Sequence, residues 1–253
     1  MEFWLPYGKT EVPIAVPDEN LLGFLSPGAT LPSQNIADAV TAALQCRVGE
    51  GTLLEAAQKS RRIAIAFNPK SPASGAFSNL LVRELSDRGH GSIFLLEGAS
   101  DPTQPPPSRI VPEKTTNAPV ELAKHDRKTS QVAKADESDT GVEVLVSEAL
   151  LAADIRCIVT NVAISPFWGY CGGPSFLVTG LASENTIRTC LSATLRTARL
   201  PGILVGNAAY EALLRAAQLV RIDLGVHIVE SPDGSVADVF VGEFMETFEQ
   251  ACS

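Results

Sequence analysis

The run from Ile155 to Ile164 (Ile-Arg-Cys-Ile-Val-Thr-Asn-Val-Ala-Ile) constrains this chain more than any other stretch. It is long, apolar and rich in β-branched residues, so it is predicted to be a strand buried between two layers. Shorter runs repeat the theme. Ile63-Ala64-Ile65-Ala66-Phe67, Ile93-Phe94-Leu95-Leu96 and Ile203-Leu204-Val205 read as further strands of the same sheet. Between the first two, Asn68 to Gly75 is turn-rich, and Phe77, Leu80, Leu81, Val82 and Leu85 follow at helical spacing. Helices are predicted over 35–46, 52–59, about 141–153, 184–199, 208–217 and 238–251, with a further apolar run from Leu219 to Val229. This alternation implies an α/β fold with a doubly wound, mostly parallel, Rossmann-like sheet. Ahead of it, Phe3–Tyr7 and Glu11–Val16 flank Gly8-Lys9 as an N-terminal β-hairpin. The expectation is one domain over 1–253, interrupted at about 100–140 by an irregular insertion. Pro102, Pro105, Pro106, Pro107, Pro112 and Pro119 fall there, so 101–135 is expected to be poorly ordered or peripheral, with one edge strand.

Composition narrows the partners. A formal net charge of −9 disfavours nucleic acid and anionic lipid, and no apolar run approaches the roughly 20 residues that span a bilayer. The opening Met1-Glu2-Phe3-Trp4-Leu5-Pro6 lacks a basic and an apolar signal region. Cys46, Cys157, Cys171, Cys190 and Cys252 are scattered without a Cys-x-x-Cys pair, as expected of reduced thiols in the cytoplasm.

Nucleophilic and metal chemistry have few candidates. The histidines are His90, in a Gly-flanked turn, His125, beside Asp126 in a polar stretch, and His227, in an apolar run. His125-Asp126 is read either as an acid/base pair or as a solvated loop. His227 is read as a structural histidine, and Cys171 as a packed residue or a reactive thiol. The richest segment is Gly169-Tyr170-Cys171-Gly172-Gly173-Pro174-Ser175, after the longest strand, where glycines let backbone approach a ligand. A tight turn with no ligand is the alternative. It matches neither G-x-G-x-x-G nor a P-loop. Asn68-Pro69-Lys70-Ser71-Pro72 follows the first core strand in the same way, and Lys70 suits an anionic group there.

Several segments together resemble the N-terminal domain of the nickel-dependent lactate racemase family. They are Leu5-Pro6-Tyr7-Gly8-Lys9 with Pro17-Asp18-Glu19-Asn20, Val48-Gly49 before Leu53-Leu54-Glu55-Ala56-Ala57, and Ala153-Asp154 through Ile187 with its Gly169–Gly173 loop and Gly180–Ile187 helix entry. The resemblance implies a nickel pincer nucleotide held between two domains, a lysine that anchors it covalently, histidines as metal ligand and acid/base, and an arginine for substrate. The chain departs at those positions. Ser175 stands for the lysine, and Pro166 for the histidine before the loop. Glu97-Gly98-Ala99-Ser100 lacks the histidine after the second core strand, and the later one falls near Leu191. Lys70 replaces the arginine, and Phe67 or Asn68 the aspartate. Ordinary lactate racemisation and covalent cofactor attachment are therefore not expected, and no catalytic residue or metal ligand is assigned. Lys70, Trp168, Gly172, Gly173 and Ser175 are the expected cofactor- or ligand-binding residues. The partners expected are a small-molecule ligand and either a separate chain carrying the second domain or a second copy.

Overall fold

The computed structural model describes residues 1–8, 10–23, 34–88, 92–99, 119–135, 143–194, 201–231 and 234–253. Residues 1–30 and 31–253 form separate compact units. In the first, β1 (Glu2–Tyr7) and β2 (Thr10–Ala15) pair antiparallel, with Phe3 opposite Ile14 and Leu5 opposite Val12. Gly8, at φ 63°, makes the turn. Cross-strand partners share a face, so Phe3, Leu5, Tyr7, Val12 and Ile14 stand on one side. Leu5, Tyr7, Val12 and Ile14 are exposed there.

The second unit runs α1 (Ile36–Gln45), β3 (Arg47–Val48), β4 (Gly51–Thr52), α2 (Leu53–Lys59), β5 (Arg62–Phe67), α3 (Pro72–Asp87), β6 (Ser92–Glu97), β7 (Val120–Lys124), β8 (Val132–Lys134), β9 (Leu145–Ser147), α4 (Glu148–Leu151), β10 (Ile155–Ser165), β11 (Gly169–Cys171), α5 (Pro174–Leu181), α6 (Glu184–Thr194), α7 (Ala208–Gln218), β12 (Leu224–Glu230), β13 (Val236–Gly242) and α8 (Phe244–Ala251). The main sheet has the order β13-β12-β10-β5-β6-β7, and β11 folds back on the end of β10. From β12 to β7 the strands are parallel, and β13 is antiparallel. The chain thus builds outward from β5 on one side, returns, and builds outward from β10 on the other. This is the mixed, mostly parallel, doubly wound sheet expected.

Strand parity sorts the core into two layers. Ile63, Ile65, Phe67, Ile93, Leu95, Cys157, Val159, Val226 and Ile228 pack against α1, α2 and α3. Ala64, Ala66, Phe94, Leu96 and Ile158 face α5 and α7 on the other side. Phe67, Phe77, Ile63, Ile65 and Leu95 are fully buried, each contributing about 1.5–3 kcal/mol of hydrophobic stabilisation. A one-residue slip of β5 would exchange its large side chains for alanines in both layers.

The sequence expectations fail where a short element competes with a loop. The turn after β5 is shorter than expected, because Ser71 caps α3 by accepting from Ser74 N at 3.0 Å and Pro72 fits the first helical turn. Pro174–Leu181, expected as loop, is α5, buried almost all round and so lacking an amphipathic stripe. Ile203–Val205 is not a strand. It lies between Gly202 and Gly206, both at positive φ, with Val205 92% exposed. The helix expected at 141–153 shrinks to α4 behind the strand β9, and that at 238–251 begins as β13. Of the proline-rich stretch, residues 100–118 and 136–142 lie outside the described residues. Within it, β7 forms the edge of the main sheet. Residues 195–200 of the expected 184–199 helix are also outside.

At the amino-terminal edge of the sheet, carboxylates tie neighbouring strands. Asp154, just before β10, accepts from Arg61 N at 2.7 Å and Arg62 N at 2.9 Å at the start of β5. Asp223, just before β12, accepts from Arg156 N at 2.9 Å and pairs with Arg221 at 3.4 Å.

Candidate functional site

The strand order reverses between β5 and β10, so the loops leaving their carboxyl ends diverge and open a crevice. Asn68 follows β5. Its N–H extends the ladder to Val159 O at 3.1 Å. Its side chain then works in two directions: Nδ2 donates to Asn161 Oδ1 on β10 at 2.8 Å, and Oδ1 accepts from Lys70 N at 3.1 Å. That fixes the Lys70 turn to the end of β10. Lys70 itself is exposed and has no ion-pair partner among the described residues.

The glycine turn meets the same strand. Gly172 has φ 93°, and a Cβ there would collide with the Asn161 carbonyl oxygen. Gly173 has φ 47°, and its Cβ would fall 2.5 Å from the Phe248 ring. Both glycines are explained by close packing of the turn on β10 and α8. Ser175 is buried and donates its hydroxyl to Gly172 O at 3.0 Å, within the first turn of α5. Trp168 is half-buried against the α5–α7 core layer, beside Phe167 at 6.4 Å between ring centroids. Lys70, Gly172 and Asn161 therefore share one locus. Ser175 turns inward, and Trp168 belongs to the core of the α5–α7 layer.

Two polar residues complete the carboxyl edge. Ser71 Oγ, besides capping α3, donates to Glu230 Oε1 at the end of β12 at 2.7 Å. The Cys171 thiol is pushed up by burial and further by the nearby Glu230 carboxylate, so it stays protonated at neutral pH. Asn161, Ser71 and Glu230 escape a sequence reading. Asn161 left one signal, an amide inside the longest apolar run. The Ser71–Glu230 pair spans two distant segments and left none.

The histidines lie elsewhere. His227 is fully buried in β12, with Nδ1 at 3.0 Å from Thr247 Oγ1 and its ring against Phe244 and Phe248. Burial lowers its pKa to about 3. His125 is buried too, which overturns the solvated-loop reading. It follows β7, and Nε2 lies 3.1 Å from Ala182 O at the far end of α5. A carbonyl can only accept, so Nε2 carries the proton. Burial, the largest influence, lowers the His125 pKa against the opposing pull of Ala182. The length of α5 separates this imidazole from the Gly172 turn. His90 is outside the described residues. Among the described residues, no group of three His, Cys, Asp or Glu is arranged to hold a metal ion.

Residues 7–199 match the family model described as the lactate racemase N-terminal domain. The chain belongs to that family. Two solved structures share the family member's fold. One is the lactate racemase apoprotein from Thermoanaerobacterium thermosaccharolyticum, at 19% identity and TM-score 0.70, covering 100% of this chain and 61% of that one. The other is a protein from Thermotoga maritima, at 16% identity and TM-score 0.65, covering 86% of this chain and 57% of that one. The family member thus spans less than two thirds of the length of either. Among curated proteins no sequence matches it. Among the described residues, no helix is long and apolar enough to cross a membrane.

Proposed function

We propose that this family member binds a small anionic ligand, a carboxylate or a nucleotide-like molecule, reversibly at the carboxyl ends of β5, β10 and β12, and does not itself racemise 2-hydroxy acids. The observation that carries the reading is the Asn68–Asn161 hydrogen bond of 2.8 Å. It brings the Lys70 turn and the glycine turn to one strand end and leaves the lysine ammonium without an ion-pair partner among the described residues. A cation held beside backbone and amide dipoles suits a carboxylate or phosphate.

The nickel pincer nucleotide that the family implies does not fit these residues. Where the resemblance places the anchoring lysine, Ser175 is buried, with its hydroxyl committed to Gly172 O at 3.0 Å. Where it places a metal-ligand histidine, Pro166 has no donor. His227 is walled in by Phe244 and Phe248, and His125 stands at the other end of α5. Neither imidazole can reach a group seated at the Gly172 turn.

Calorimetric titration tests the reading, with lactate as the carboxylate probe. Lys70→Ala is expected to weaken binding by about 1–3 kcal/mol, the loss of one charge-assisted hydrogen bond. Equal affinity in wild type and variant, or no binding at all, would overturn it. Ser175→Lys supplied with mature cofactor should show no lactate racemisation. Turnover well above background would mean that other groups here handle proton and metal.

A second reading is a non-catalytic subunit that pairs with a separate chain. It is favoured by the exposed apolar face of Leu5, Tyr7, Val12 and Ile14 on the hairpin. Co-expression with a chain equivalent to the remainder of the longer relatives should yield a stable complex, which Leu5→Ser with Val12→Ser weakens.

A further inference from the structure

We propose that Glu230 sets the ligand class of this crevice: it selects a zwitterion, an α-amino acid, over a hydroxy acid and against phosphate-bearing molecules. The inference rests on the binding role proposed for the crevice and narrows it. Helix α3 leaves the switch point just after a core strand, the place where doubly wound folds commonly receive a phosphate. Here that place is taken by the protein's own carboxylate. Ser71 caps α3, is itself buried, and donates its hydroxyl to Glu230 Oε1 at 2.7 Å, so a negative charge stands at the helix start. A phosphate brought there would meet a like charge at short range.

The remaining capacity is specific. Glu230 Oε2 has no hydrogen-bond partner among the described residues, and the residue is only half-buried, so a ligand can reach it. Asn161 has its Oδ1 committed to Asn68, which leaves its amide donors. Lys70, next to Ser71 in the chain, is the exposed cation. One cation, one carboxylate oxygen and one amide at a single sheet edge match a ligand that carries a carboxylate and an ammonium group. The carboxylate meets Lys70 and the Asn161 amide, and the ammonium meets Glu230. A hydroxyl offers Glu230 only a neutral donor, and the hydrogen bond gains no ionic component.

The test compares alanine with lactate, which share a skeleton and differ in ammonium against hydroxyl, together with inorganic phosphate. The whole chain is titrated by calorimetry. Wild type should bind alanine about tenfold more tightly than lactate and should not bind phosphate. Glu230→Gln keeps an oxygen for Ser71 and should bring the alanine-to-lactate ratio to about one; unchanged thermal unfolding would establish that the variant is folded. Lactate binding that responds to Lys70→Ala, with no preference for alanine and no effect of Glu230→Gln, overturns the role of Glu230 and leaves the crevice standing. Phosphate binding by wild type overturns it as well. No binding of any probe removes the crevice and this inference together.

Discussion

The two edges of the main sheet use the same kinds of residue to different ends. At the amino edge, Asp154 takes two backbone N–H groups from the neighbouring strand start, and Asp223 takes one and an arginine. Each carboxylate ties one strand to the next, and Asp154 is held below the usual carboxylate range by those backbone donors. At the carboxyl edge, Asn68, Asn161, Ser71 and Glu230 bond to one another side chain to side chain and keep atoms in reserve. Carboxylates that take the backbone N–H groups of a neighbouring strand stabilise the fold. Polar groups with spare donors and acceptors, beside a lysine with no ion-pair partner among the described residues, are placed to meet something else.

Substitutions can break or sharpen that contrast. The largest effect is expected at the glycine turn, because its packing on β10 is structural even on the binding side. Gly172→Ala forces a side chain to φ 93° and against the Asn161 carbonyl, and should cost about 3–5 kcal/mol in denaturant unfolding. Next comes His227, which belongs to neither edge. Its folded pKa of about 3 is below the ordinary histidine value, so the unfolded chain binds the extra proton. Stability is then full above about pH 6.5 and falls as pH drops from there toward 3. Unfolding midpoints across this window should fall by the equivalent of a few kcal/mol, and His227→Gln should flatten the slope. Asp154→Ala should cost about 1–2 kcal/mol and leave ligand binding unchanged. Lys70→Ala should do the reverse, with a stability change within about 0.5 kcal/mol and clear loss of binding. Lost binding in the aspartate variant would erase the distinction between the edges.

Periodic, fully buried elements were legible from sequence. β5, β6 and β10 lie where their apolar runs put them, and α1, α2 and α7 within about a residue of their hydrophobic spacing. α5 was lost because a helix buried all round shows no stripe, and Ile203–Val205 because a three-residue apolar run carries no information about its partners. At the crevice, the glycine turn and Lys70 were visible as loop chemistry after strands. Their connection through Asn161 was not, because it depends on the register that sets Val159 opposite Phe67. Glu230 lies just past the Leu219–Val229 run and carried no signal of its own; only the pairing of β12 with β10 carries it to Ser71.

The most direct measurement is amide chemical-shift mapping of the whole chain titrated with alanine. Perturbations are expected at Asn68, Lys70, Asn161, Gly172 and Glu230, with Arg61, Asp154 and Arg221 unmoved. Shifts centred on the amino edge, or none anywhere at saturating ligand, would contradict a binding crevice at the carboxyl edge.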